Sequence, residues 1–119
     1  MASILIVDDS VFARRHLNEI LQSMGHDTIE GEDGIDALWF YKQKRPDAVL
    51  LDIDMPILNG EEALYKLLKL DPKARIAIVT ASRSQEMVMG LIKKGAKDFI
   101  GKPYESDRVI EAVEKLLAA

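Results

Sequence analysis

Val49-Leu50-Leu51-Asp52-Ile53-Asp54-Met55-Pro56 is an apolar run that ends abruptly in a carboxylate, then a second one, then a proline that stops any regular element. A strand of this kind delivers Asp52 to its own C-terminal edge and holds the charge at a crevice. Upstream, Ile4-Leu5-Ile6-Val7 repeats the device and ends in Asp8-Asp9-Ser10. Downstream, Ile76-Ala77-Ile78-Val79 ends at Thr80, and Asp98-Phe99-Ile100-Gly101 is broken by Lys102-Pro103. A more polar strand covers residues 28–32.

Helical spacing fills the intervals. Ala13, Leu17, Ile20, Leu21 and Met24 follow Ser10 as N-cap and stop at Gly25. Asp33-Gly34 opens a second helix through Ala37, Leu38 and Tyr41, closed by Arg45-Pro46. After a turn at Met55-Pro56 and then Asn59-Gly60, residues 61–70 are helical up to Asp71-Pro72; residues 84–94 run to Gly95, and residues 105–117 form a last amphipathic helix.

Five strands alternating with five helices are the pattern of an α/β domain whose parallel sheet is covered on both faces. Three runs are apolar throughout, as strands buried on both faces must be, and the second and fifth are polar enough for edges. Right-handed crossovers with those edges give the order 2-1-3-4-5. The topological switch then lies between the first and third strands, and ligands bind outside the carboxyl ends there. Those ends carry Asp8, Asp9 and Asp52.

At 119 residues, 48% hydrophobic and 30% charged, residues 1–119 make one globular domain. No run is long enough to span a bilayer and the N-terminus lacks a basic leader, so no membrane insertion is expected. The absence of cysteine removes disulfide and thiolate chemistry and fits a cytoplasmic location. A net charge of −4 without a basic cluster disfavours direct nucleic-acid binding.

Asp8, Asp9 and Asp52 crowded together repel, by about 4 kcal/mol for a pair ~4 Å apart at an effective dielectric of ~20. Lys102 supplies one compensating charge. A hard divalent cation supplies the rest: Mg2+, with Mn2+ as a substitute, suits oxygen-only ligands. A carboxylate beside such an ion, an ammonium and the Thr80 hydroxyl is equipped to accept a phosphoryl group.

The chain resembles the receiver domain of two-component response regulators over its full length. The residues that carry the resemblance are Asp8-Asp9, Asp52 with Met55-Pro56 and Asn59-Gly60, Thr80-Ala81, Gly95-Ala96, Phe99 and Lys102-Pro103. The resemblance implies a flavodoxin-like fold and phosphorylation of Asp52 by a histidine kinase. It implies Mg2+ held by Asp9, Asp52 and the backbone carbonyl of Asp54, with Asp8 acting mostly through water. It also implies a cis Lys102-Pro103 bond, movement of Thr80 towards the phosphoryl group and inward rotation of Phe99. The face of the fourth helix, fifth strand and fifth helix, here Met87, Val88, Leu91, Phe99 and Tyr104, would report the change to a partner.

Taken singly, each residue has a plainer explanation: acids favoured at a helix N-terminus, a turn threonine, a core ring, a solvated lysine. Asp52-Ile53-Asp54 also matches the D-x-D of haloacid-dehalogenase-type phosphatases, which place it after the first strand and need a cap insertion. Residues 95–102 mimic a P-loop but have Ile100 where glycine is required, and Pro103 in place of Ser/Thr. The alternation of an EF-hand loop breaks at Pro56.

The expectation is a stand-alone, chemotaxis-type phospho-switch, not an enzyme beyond its own phosphotransfer and dephosphorylation. Its partners are a histidine kinase, a downstream target protein and a phosphatase, and it is a monomer or a weak phosphorylation-dependent dimer. A relay role, passing the phosphoryl group to a histidine phosphotransferase, and a receiver piece of a longer regulator are the alternatives. Asp54 adds charge beside the metal and is expected to alter metal affinity and phosphoryl lifetime; Ser82 is small and leaves the site open. Trp39-Phe40 and the apolar excess of Met87, Val88, Met89, Leu91 and Ile92 mark two patches, either docking surface or unusually wide core burial.

Overall fold

The computed structural model describes residues 1–55 and 58–118. The elements follow the expected alternation: β1 Ser3–Val7, α1 Val11–Ser23, β2 Asp27–Gly31, α2 Gly34–Lys44, β3 Ala48–Asp52, α3 Gly60–Leu70, β4 Ile76–Thr80, α4 Gln85–Lys94, β5 Asp98–Gly101 and α5 Ser106–Ala118. Pro56, in the expected Met55-Pro56 turn, lies outside the described residues.

The strands pair in parallel in the order β2-β1-β3-β4-β5. Successive side chains of a strand point to opposite faces, so the sheet feeds two cores. Leu5, Val7, Val49, Leu51, Ile76 and Ile78 pack beneath α2, α3 and α4. Ile4, Ile6, Leu50, Ala77, Val79 and Ile100 pack beneath α1 and α5. The central strands β3 and β4 are buried at every position, whereas the edge strand β2 is mostly half-buried or exposed.

Side-chain caps fix where four helices begin. Ser10, Asp33, Asn59 and Ser84 each accept a hydrogen bond from the amide three residues on, at Ala13, Asp36, Glu62 and Met87. Because Asn59 is a cap, α3 starts at Gly60, one residue before its expected start. Gly60 is dictated by space: a Cβ there would lie 2.4 Å from the carbonyl oxygen of Asp52 and 2.4 Å from Cα of Ile53. The helix start is thereby pressed against the strand end that carries Asp52. At the other end of α2, Arg45 adopts φ 44, ψ 61, the left-handed conformation, and its N–H closes on the Tyr41 carbonyl before Pro46.

Among the described residues, no helix is long and apolar enough to cross a membrane.

Candidate functional site

Parallel pairing brings the C-terminal ends of β1, β3, β4 and β5 to one edge, and with them Asp8, Asp9, Asp52, Thr80 and Lys102. Carboxylate oxygens of Asp8, Asp9 and Asp52 all lie within 4.8 Å of one another. Asp8 and Asp52 are each only 2% exposed, while Asp9 faces solvent. The ammonium of Lys102 sits between the two buried acids, 3.4 Å from Oδ2 of Asp8 and 3.4 Å from Oδ1 of Asp52. Three acids against one lysine leave two negative charges uncompensated, the charge that a divalent cation carries. The donors are all hard oxygens and one of them opens to water, so the set fits Mg2+.

Backbone groups hold these side chains in place. The Ser10 amide donates to Asp8 Oδ1 at 2.9 Å and the Asp54 amide to Asp52 Oδ1 at 3.1 Å. The Asp52 carboxyl is pushed up to about 6, first by burial and further by the charge of Asp8; the Asp54 amide and Lys102 oppose the rise. Burial alone would lower the Lys102 ammonium, but Asp52 and Asp8 together outweigh it and raise the group above its ordinary value. The Lys102-Pro103 bond is cis.

Thr80 is fully buried at the end of β4, and its Oγ1 accepts the Ser82 amide at 3.0 Å. Beyond it, Ala81, Ser82, Val88, Met89, Phe99 and Lys102 line a groove of about 460 Å³ between α4 and β5. Phe99 stands at the groove's rim, 42% exposed, with the Arg108 guanidinium 5.9 Å from its ring centre. Arg108 also donates to Asp98 Oδ1 at 2.9 Å and to the Phe99 carbonyl, tying α5 to β5.

The expected partner face is corrected in part. Leu91 is 2% and Val88 7% exposed, because positions 88, 91 and 92 form the stripe of α4 turned inward, and Leu91 joins the core. Met87 is half-buried against the same core, and Met89, about 200° further round the helix, is the residue left outside at 55%. Tyr104 is half-buried, its ring edge-on to His16 at 5.6 Å, and burial raises its phenol. The Trp39-Phe40 pair divides: Trp39 is 56% exposed, while Phe40 packs against the core.

The Asp54 side chain reaches the end of β4, where its Oδ2 accepts the Ala81 amide at 3.4 Å. The carboxylate therefore bridges the β3 and β4 strand ends.

Three residues escaped sequence reasoning. Arg14 is buried, donating to the Asp8 carbonyl at 2.6 Å and to Glu30 at 3.1 Å, so it braces the loop that carries Asp8 and Asp9. Its position on the stripe shared with Leu17 and Leu21 was the available signal. Phe12, 80% exposed in the first turn of α1, stands off that stripe beside the acidic strand end. Arg108 gave little signal, since its pairing with Glu111 reads as an ordinary surface contact and its other partners, the Asp98 carboxylate and the carbonyl and ring of Phe99, are reached only through the fold.

Comparison with known proteins follows the same lines. Residues 4–114 match the response regulator receiver domain. The chain is 44% identical over 116 residues to the chemotaxis protein CheY of Listeria monocytogenes, covering 97% of this chain and 98% of that protein. It superposes with a TM-score of 0.92 and 36% identity on a chain of the CheX-CheY-BeF3-Mg complex from Borrelia burgdorferi, over 96% of this chain and 87% of that one. A TM-score of 0.90 and 34% identity relate it to NtrX of Brucella abortus, solved with ADP; the match covers 98% of this chain but spans only 26% of the NtrX chain.

Proposed function

The chain belongs to the response regulator receiver domain family, and from that premise we propose that it is a two-component phospho-switch whose phosphoacceptor is Asp52. The observation that carries the reading is the placement of a buried carboxylate, opposed by one lysine and two further acids, beside a buried threonine and a groove.

Asp9 and Asp52, with the backbone carbonyl of Asp54 and with Asp8 through water, would hold Mg2+. Bound there, the ion supplies charge neutralisation on the equatorial oxygens of the incoming phosphoryl group. An oxygen of the Asp52 carboxylate attacks phosphorus in line with the departing imidazole nitrogen of a phosphohistidine. The P–N bond breaks as the P–O bond forms, and the histidine retains the electron pair. Lys102, already 3.4 Å from Asp52, takes a second oxygen. Thr80 turns its hydroxyl from the Ser82 amide towards the third. That rotation empties space beneath Phe99, which leaves Arg108 and moves into the groove, altering the α4–β5–α5 face read by a target protein. Met89, Phe99 and Tyr104 are the side chains that this face presents.

The likeness to CheY of Listeria favours a chemotaxis-type role with a histidine kinase as donor and a target or phosphatase as reader. The chain acts on its own phosphoryl group and on no other substrate. Beryllium fluoride, which accompanies Mg in the Borrelia complex, provides the test. Added with Mg2+ to labelled wild type, it shifts the amide resonances of Ala81, Ser82, Phe99 and Lys102. The same addition to Asp52→Asn leaves them in place; equal shifts in both proteins would contradict the assignment.

A further inference from the structure

A second groove, of about 560 Å³, runs between α2 and α3 and shares no residue with the one beside Thr80. One wall is the α2 stripe Ile35, Leu38, Trp39 and Lys42; the other is Lys66, Lys69 and Leu70 of α3. Ile35 and Trp39 remain 58% and 56% exposed, too much bulky apolar surface for positions that only cover a core. No acidic side chain lines the groove, and among the described residues none of its three lysines forms an ion pair. Lys69 instead lies over the Tyr65 ring, 5.5 Å from its centre. Three unneutralised cations around an apolar trough stand out on a chain whose net charge is −4.

We propose that this groove docks an acidic segment of another protein, one that carries bulky apolar side chains between its carboxylates. An amphipathic segment lays its apolar stripe in such a trough. Trp39 and Ile35 would bury it, and Lys42 on one wall with Lys66 and Lys69 on the other would pair its acids from both sides. The distribution of charge favours a peptide over a lipid surface, because lysines on both walls of an apolar groove can pair carboxylates on either side of one segment lying between them. A second copy of this chain is a poorer fit, since two such basic grooves would face one another in a symmetric pair. Docking here needs neither Asp52 nor its phosphoryl group, so it makes a constitutive tether, independent of the switch.

Selection of a phage-displayed random 16-residue library on the immobilised chain, counter-selected on Lys42→Glu/Lys66→Glu/Lys69→Glu, tests this directly. The enriched peptides are expected to be net negative with interspersed Leu, Ile or Phe. Titrated as a tryptophan-free synthetic peptide, the best of them shifts the emission of Trp39, the chain's one tryptophan, to the blue. Charge reversal weakens binding at least tenfold, Ile35→Ser does the same by peptide anisotropy, and Asp52→Asn changes nothing. The three lysines are exposed, and an unchanged melting temperature shows the reversed protein folded. Enriched peptides that are neutral or basic, or binding indifferent to charge reversal, would overturn the proposal. So would a blue shift given only by 70:30 phosphatidylcholine/phosphatidylglycerol vesicles, or self-association of the chain that Trp39→Ala abolishes.

Discussion

Asp52 is placed where its ionisation costs stability. Its carboxyl moves from an ordinary 3.8 to about 6 in the fold, with burial as the leading cause. A folded-state value above the unfolded one means the associated stability is fully present below about pH 4 and is lost as the pH rises through 6. The shift corresponds to about 2–3 kcal/mol. Without Mg2+, wild type therefore loses stability between pH 4 and pH 8 relative to Asp52→Asn, and urea melts at the two pH values measure the gap. Gly60 makes a second expectation at this scale. A methyl there meets backbone at 2.4 Å, so Gly60→Ala must displace the strand end that carries Asp52. It should cost about 2 kcal/mol or more and slow phosphorylation, read together by chemical denaturation and a phosphorylation time course. The acids and Thr80 were legible because each follows an apolar run, and Lys102 because it ends a short strand at a proline. Arg14 offered only its place on the buried stripe of α1, and Arg108, a charged residue on a helix, reads as solvated until its partners are in place.

The elements themselves were legible almost to their ends, because Ser10, Asp33, Asn59 and Ser84 carry capping chemistry where the helices start. What the pattern left ambiguous was the facing of α4. Five apolar residues among ten allow more than one stripe, and only the packing of Leu91 into the core settles which of them turn inward. Arg45 shows a similar limit: Pro46 marks the end of α2, yet nothing in an arginine announces a left-handed φ of 44. Between α5 and β5, the Arg108–Phe99 contact holds the ring outward at 5.9 Å. An exposed cation–π contact contributes about 0.5–1 kcal/mol, so Arg108→Ala should tighten beryllium fluoride binding about two- to fivefold by releasing the ring. Isothermal titration reads that change, and weaker binding would mean Arg108 supports the activated packing instead. Tyr41 links α2 to the end of α3 through a 2.7 Å hydrogen bond to Asp71, and burial with that bond pushes its phenol up to about 12. Tyr41→Phe should lose about 1–2 kcal/mol, seen as a lower denaturation midpoint with an unchanged slope.

At the scale of the whole molecule, two cores fed by one sheet leave the strand ends as the place where unlike charges gather. The order of strands, legible from which runs were polar, is what puts β1 beside β3 and so Asp8 beside Asp52. A cation that binds only the assembled set stabilises the fold as a whole. Mg2+ at ten times its dissociation constant should add about 1.4 kcal/mol and raise the melting temperature by about 5 °C. Asp9→Asn should shrink that rise, and calorimetry with and without Mg2+ compares them. The α2–α3 groove and the α4–β5 groove lie on different parts of this surface, so a tether and a switch operate without competing. The measurement that bears most directly on the assignment is intact mass after incubation with acetyl phosphate and Mg2+. Wild type is expected to gain one phosphoryl group and Asp52→Asn none. A wild type that gains nothing, or an adduct that survives in Asp52→Asn, would contradict Asp52 as the phosphoacceptor.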